Sequence, residues 1–235
     1  MDTTADPDAS GDKAAETPGG QGAARTAEIS GARQYSTGKL TASQAKTVNA
    51  WRGELHRPRR RTYLTDDGRP PASSSDCLAA AVIDLLDAAP PTPTEVAQYA
   101  ARIRTAQRDG RADRFPGDTH VTFYLPELYA GPAESLLIDA RAAHSTAIDD
   151  ARAAARRRFP GRYQAEERSQ LMLGTLADQQ LTPTVPRRLP MGTLARMAID
   201  RWARRAPRAV VAAAAKHSAT YHLQHHRART DMGRQ

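Results

Sequence analysis

The sequence predicts a mostly α protein, a helical bundle with one or two short β-strands and a disordered N-terminal tail. Three observations lead there. Several stretches set apolar residues at helical spacing between breaks marked by proline and glycine, one short stretch alternates with period two, and residues 1–30 carry almost no large apolar side chain. Leu, Ile, Val and Phe make up about 14% of the 235 residues, below the ~20% that marks weakly folded chains. Alanine supplies much of the remaining apolar content. It favours helices and buries little area, so slender helices around a modest core are expected, with a second chain adding burial.

Residues 1–38 read as an acidic, disordered tail. Asp2, Asp6, Asp8, Asp12, Glu16 and Glu28 stand against Lys13 and Arg25, and nothing there offsets the entropy of folding. A helical region with a basic arm follows over 39–110. Thr41 and Gln44 match a capping box, with Ala45, Val48 and Trp51 at helical spacing behind it. The arm, HRPRRR from His56, makes Arg59, Arg60 and Arg61 either phosphate contacts or an ordinary solvated connection. Ser73 and Asp76 match a second capping box, ahead of the stripe Leu78, Ala81, Val82, Leu85 and Ala89. Cys77 is the single cysteine, which excludes an internal disulfide and a thiolate metal cage and leaves a plain buried thiol. Thr94 is read as the cap of a third helix that sets Val96, Ala100, Ile103 and Ala106 on one side.

Residues 111–222 read as a strand followed by helices. In Thr119–Pro126, THVTFYLP, alternation sends Val121, Phe123 and Leu125 to one face and His120, Thr122 and Tyr124 to the other. A helix is expected from about Ala133 to Phe159, with Pro132 near its start; one long helix is preferred to a break at His144 and Ser145. Another helix spans Glu166 to Gln180. Pro183, Pro186 and Pro190 then punctuate a loop leading to Gly192 and Thr193. In the helix beyond, Leu194, Ala195, Ala198, Ile199, Trp202 and Ala206 fall on one side. Arg196, Asp200, Arg201, Arg204 and Arg205 fall on the other, as a basic outer face. Pro207 opens a last helix, and 223–235 form a basic tail. The echo of Phe115-Pro116-Gly117 in Phe159-Pro160-Gly161 is turn chemistry rather than an internal repeat.

The net charge is +8, and of the 34 basic residues all but Lys13, Lys39, Lys46 and Lys216 are arginine. Arginine suits bidentate contact with phosphate and guanine, although GC-rich codon usage produces the same excess without a partner. The N-terminal residues lack a secretory pattern and no apolar run reaches ~18 residues, so a cytoplasmic protein without membrane contact is expected. The chain shows no Gly-rich phosphate loop, nucleophile elbow, histidine and carboxylate metal motif or close carboxylate pair. Neither an enzyme nor a cofactor is expected. His222 and His226 share a helical spacing, but no Asp, Glu or Cys joins them, and no metal site is expected.

The strand 119–126 and the segment LPMGTLARMAIDRWARR, Leu189–Arg205, resemble the ribbon-helix-helix DNA-binding family. The resemblance is limited to that strand and the helix 192–206, and more than sixty residues separate the two. In that family strands from two chains pair into an antiparallel ribbon whose outward side chains read bases, while the start of the second helix points free amides at a phosphate. The resemblance therefore implies a homodimer. It also implies base-facing His120, Thr122 and Tyr124, and a phosphate site at Gly192 and Thr193 beside Arg187 and Arg188. The function expected is sequence-specific or architectural DNA binding, as a transcriptional regulator or a partition accessory factor of a plasmid or mobile element. The alternative is a helical scaffold that binds an acidic protein partner.

Overall fold

The computed structural model describes residues 32–56, 73–108 and 120–216. The acidic head, the arm with Arg59, Arg60 and Arg61, the link 109–119 and the basic tail lie outside the described residues. The described chain is mostly α with one two-stranded sheet. Its elements are β1 (Ala32–Ser36), α1 (Ala42–Leu55), α2 (Ser74–Ala88), α3 (Pro93–Arg108), β2 (Thr122–Pro126), α4 (Glu127–Arg158), α5 (Ala165–Asp178), α6 (Gly192–Trp202) and α7 (207–216).

β1 lies inside the segment expected to be disordered, and it supplies the partner of β2. The strands run antiparallel, with Arg33 opposite Leu125, Gln34 opposite Tyr124 and Tyr35 opposite Phe123. What orders this end of the tail is a set of side chains distant in sequence. Arg33 donates to both Glu127 and Glu134 at the start of α4, and the Tyr35 hydroxyl donates to Glu134 at 2.7 Å. That hydroxyl, with the Arg33 guanidinium, holds the Glu134 carboxyl below its ordinary range. Tyr35 also packs its ring against Phe123, 5.9 Å between centroids. A two-stranded ribbon is marginal alone. This one places Val121, Phe123 and Leu125 in the core against α2 and α4.

The helices begin and end where local chemistry allows. The Thr41 capping box of α1 forms in both directions with Gln44. Ser73 caps α2 through the Ser75 amide, not through a reciprocal box with Asp76. The cap of α3 is Thr92, not Thr94: its hydroxyl takes the Glu95 amide while the Glu95 carboxylate takes the Thr92 amide, and Pro93 fills the first helical position. α4 is one unbroken helix of 32 residues. It starts six positions before Ala133 and carries Pro132 inside it, at the cost of a single helical hydrogen bond near the end where few such bonds exist. His144 sits within it, buried, with Nε2 2.8 Å from the Thr182 carbonyl oxygen; that acceptor requires the ring proton on Nε2.

One continuous core runs from Leu40 to Ala215 across the boundary expected near residue 110. At its centre α2 packs on α6. These two helices carry the same pattern, Leu78-Ala79 then Ile83-Asp84 in one and Leu194-Ala195 then Ile199-Asp200 in the other, each followed by a proline, Pro91 or Pro207. Leu78 and Leu194 are both fully buried, and Cys77 and Thr193 occupy matching buried positions before them. Trp202 meets Trp51 edge-on at 6.3 Å, and its indole N–H donates to Asp84 at 2.8 Å. Burial pushes the Cys77 thiol up to about 12, so at neutral pH it stays protonated and poorly nucleophilic. Ellman's reagent is expected to leave the native protein unmodified and to titrate one thiol after denaturation; rapid reaction of the native protein would contradict this burial.

Candidate nucleic-acid interface

The outer face of the ribbon follows from its register. Residues opposite one another share a face, so Gln34 joins Tyr124 and Ser36 joins Thr122 on the side away from the core. Tyr124 is 41% exposed, and Gln34 and Ser36 are also exposed. His120 is exposed just ahead of the strand. The face is uncharged and polar. Gln34 and Ser36 were missed in the sequence because β1 sits in a stretch whose composition reads as tail.

The two pieces of the resemblance, far apart in sequence, meet at Thr37. Its backbone amide donates to the Val121 carbonyl, and its hydroxyl oxygen accepts from the Val121 amide, both at 3.0 Å. The start of α6 presses on the same residue: a Cβ at Gly192 would lie 2.5 Å from the Thr37 carbonyl oxygen. Close approach is therefore why glycine stands at 192. Gly38 turns the chain with φ 65°, and Arg196 of α6 donates to the next carbonyl, Lys39, at 2.6 Å.

This geometry changes two expectations about α6. The Thr193 amide donates to the Pro190 carbonyl at 2.8 Å and the residue is buried, so it is not an unpaired donor awaiting phosphate. Gly192 is buried too, and its role is contact with the ribbon end. The basic outer face stays at the surface, but three of its arginines are engaged by neighbouring elements. Arg196 holds Lys39, Arg201 donates to the Ala89 carbonyl, and Arg205 pairs with Asp84 while stacking over Trp202 at 4.5 Å. Helical periodicity shows which side of a helix is apolar; it does not show whether the polar side meets water or a neighbour.

Arg187 and Arg188 remain exposed on the loop before α6. α4 fixes that loop at two points, through His144 on Thr182 and through Arg141, whose Nε donates to the Pro186 carbonyl at 3.1 Å. Below the loop lies a polar network that joins residues distant in sequence. The Tyr99 hydroxyl donates to Asp200 at 2.6 Å, and Gln44 Nε2 donates to both Tyr99 and Asp200 at 3.0 Å. Burial first, then the Asp200 charge, drives the Tyr99 phenol well above its ordinary range, so it is a permanent donor.

Among the described residues no group of His, Cys, Asp and Glu converges as a metal cage, and no helix is long and apolar enough to cross a membrane. No known protein family, curated protein or solved structure matches the chain.

Proposed function

We propose that the chain binds double-stranded DNA, laying the outer face of its own β1–β2 ribbon against base edges and holding the backbone with Arg187 and Arg188. One observation carries this reading. The chain contains the order strand, helix, helix twice, as β1–α1–α2 and as β2–α4–α6, the second copy interrupted by α5 and its loop. The two strands pair with each other, and the two last helices share the Leu-Ala and Ile-Asp pattern and pack together. In the ribbon-helix-helix family each of two chains contributes one such unit. Here one chain contributes both, so the ribbon needs no second copy and one chain per ribbon-wide site is expected. Gln34, Ser36, Thr122 and Tyr124 are residue types able to donate and accept at base edges, while exposed arginines supply affinity that carries no sequence information. Binding of this kind serves a transcriptional regulator or a partition accessory factor of a mobile element.

Fluorescence anisotropy against duplex from the chain's own upstream region and a scrambled duplex, at several salt concentrations, tests the reading. Thr122→Ala and Tyr124→Ala are expected to narrow the gap between the two duplexes by about 1–3 kcal/mol. Arg187→Gln combined with Arg188→Gln is expected to weaken both duplexes equally and to reduce the slope of log affinity against log salt by about 2. Equal losses on both duplexes from the ribbon variants would sink the groove assignment. A folded chain that ignores duplex at low salt would retire DNA altogether. An acidic protein partner would then be the reading to pursue, with Ile138, Tyr163 and Leu171, all exposed, as apolar anchors.

A further inference from the structure

Between α3 and the loop that leads into α6 lies a cavity of about 270 Å³. Three arginines line it, Arg104, Arg188 and Arg196, together with Tyr99 and Thr193; Ile103 and Leu189 contribute apolar wall. No aspartate or glutamate lines it. Among the described residues none of the three arginines is paired with a carboxylate. Asp200, which accepts from Gln44 and Tyr99, acts on Arg196 only through its charge and not through a hydrogen bond.

Arg196 is the decisive member. One of its terminal nitrogens donates to the Lys39 carbonyl, but its Nε is buried with no acceptor. Burial pulls its guanidinium below the ordinary range, although the charge is retained at any physiological pH. A partly desolvated guanidinium bordering a cavity lined by two more arginines and no carboxylate creates a site where an added anion is favoured, even with the Asp200 charge nearby. The exposed Arg104 and Arg188 stand at the rim, where they close over an occupant without first breaking another pair.

We infer that this cavity is a binding site for a small organic anion, a carboxylate on a compact apolar body. The acid group meets Arg196 at the base and Arg104 and Arg188 at the rim, and the body rests on Ile103 and Leu189. A bare inorganic anion would leave that apolar wall unused, and a DNA backbone phosphate, flanked by sugars on both sides, cannot follow Arg196 inward. The inference does not rest on DNA binding.

Calorimetric titration of the full chain with benzoate tests it, with benzamide as the neutral isostere and inorganic phosphate as the anion without a body. Saturable 1:1 binding of benzoate is expected, with benzamide and phosphate each at least tenfold weaker. Arg196→Gln is expected to weaken benzoate at least tenfold. Because Arg196 also holds the Lys39 carbonyl, the double variant Arg104→Gln, Arg188→Gln provides a second test. Both residues are exposed, so that variant is expected to melt like the parent and still lose at least tenfold in benzoate affinity. Absence of saturable benzoate binding at millimolar concentration overturns the proposal, as does benzamide binding equally well or a rim variant with unchanged affinity. Phosphate binding as tightly as benzoate would overturn the apolar half of the assignment.

Discussion

Replacing Trp202 by alanine is expected to remove about 3–5 kcal/mol of stability, enough to bring a domain of ordinary stability, roughly 5–15 kcal/mol, close to unfolding. Trp202 is 1% exposed and sits where α1, α2 and α6 come together. Its loss would open a void beside Trp51, which meets it edge-on. Alanine is the commonest residue of the core, and its short side chain cannot reach into such a void. Asp84 would also lose the indole N–H and keep its pair with Arg205. Trp202→Phe separates the two effects, since it retains most of the ring and removes the donor; it is expected to cost about 1–3 kcal/mol. Urea denaturation of the three proteins measures both. A Trp202→Ala loss no larger than that of Trp202→Phe would mean that the ring packing between α1 and α6 contributes little.

What the sequence shows clearly is what neighbouring residues decide. The Thr41 and Gln44 box, the inward Val121, Phe123 and Leu125, and the apolar side of α6 all depend on spacings of two to four residues, and all stand as expected. The reciprocal pair Thr92 and Glu95 is equally local, but Thr94 stands closer to the apolar run and is an equally good cap by residue type. β1 was different. Its five residues have little apolar content, and they are ordered by Phe123, Glu127 and Glu134, some ninety or more positions away. No window of the sequence contains that information.

The candidate site divides in the same way. Alternation located Thr122 and Tyr124 on an outward face, but their cross-strand neighbours Ser36 and Gln34 required the pairing register. The sequence places Gly192 at a helix start whose unpaired amides favour a phosphate, whereas its role in the fold is steric: the Thr37 carbonyl occupies the space a side chain would need. The recurrence of Leu-Ala and Ile-Asp in α2 and α6 was present in the sequence all along. Its two copies lie 116 residues apart, with unlike caps before them, and become meaningful once the helices are seen packed together.

Gly192→Ala offers the sharpest test of the junction between ribbon and helix. An alanine in place of a helical glycine ordinarily gains up to ~1 kcal/mol through lower backbone entropy in the unfolded chain. At Gly174, midway along α5 with nothing within 4 Å of a new Cβ, that gain is expected in full. At Gly192 the sign reverses. The new methyl would meet the Thr37 carbonyl carbon at 2.8 Å and its oxygen at 2.5 Å, and this backbone cannot retreat without releasing the pair it makes with Val121. A net loss of about 1–3 kcal/mol is therefore expected, the usual cost of overpacking. The damage should be local as well as global, because Thr37 is where β1, β2 and α6 converge. Amide hydrogen exchange should accelerate at Thr37 and Val121 in Gly192→Ala and stay unchanged there in Gly174→Ala. If both substitutions stabilise the protein to the same degree, α6 does not press on the ribbon, and the link between β2 and the start of α6 is lost with it.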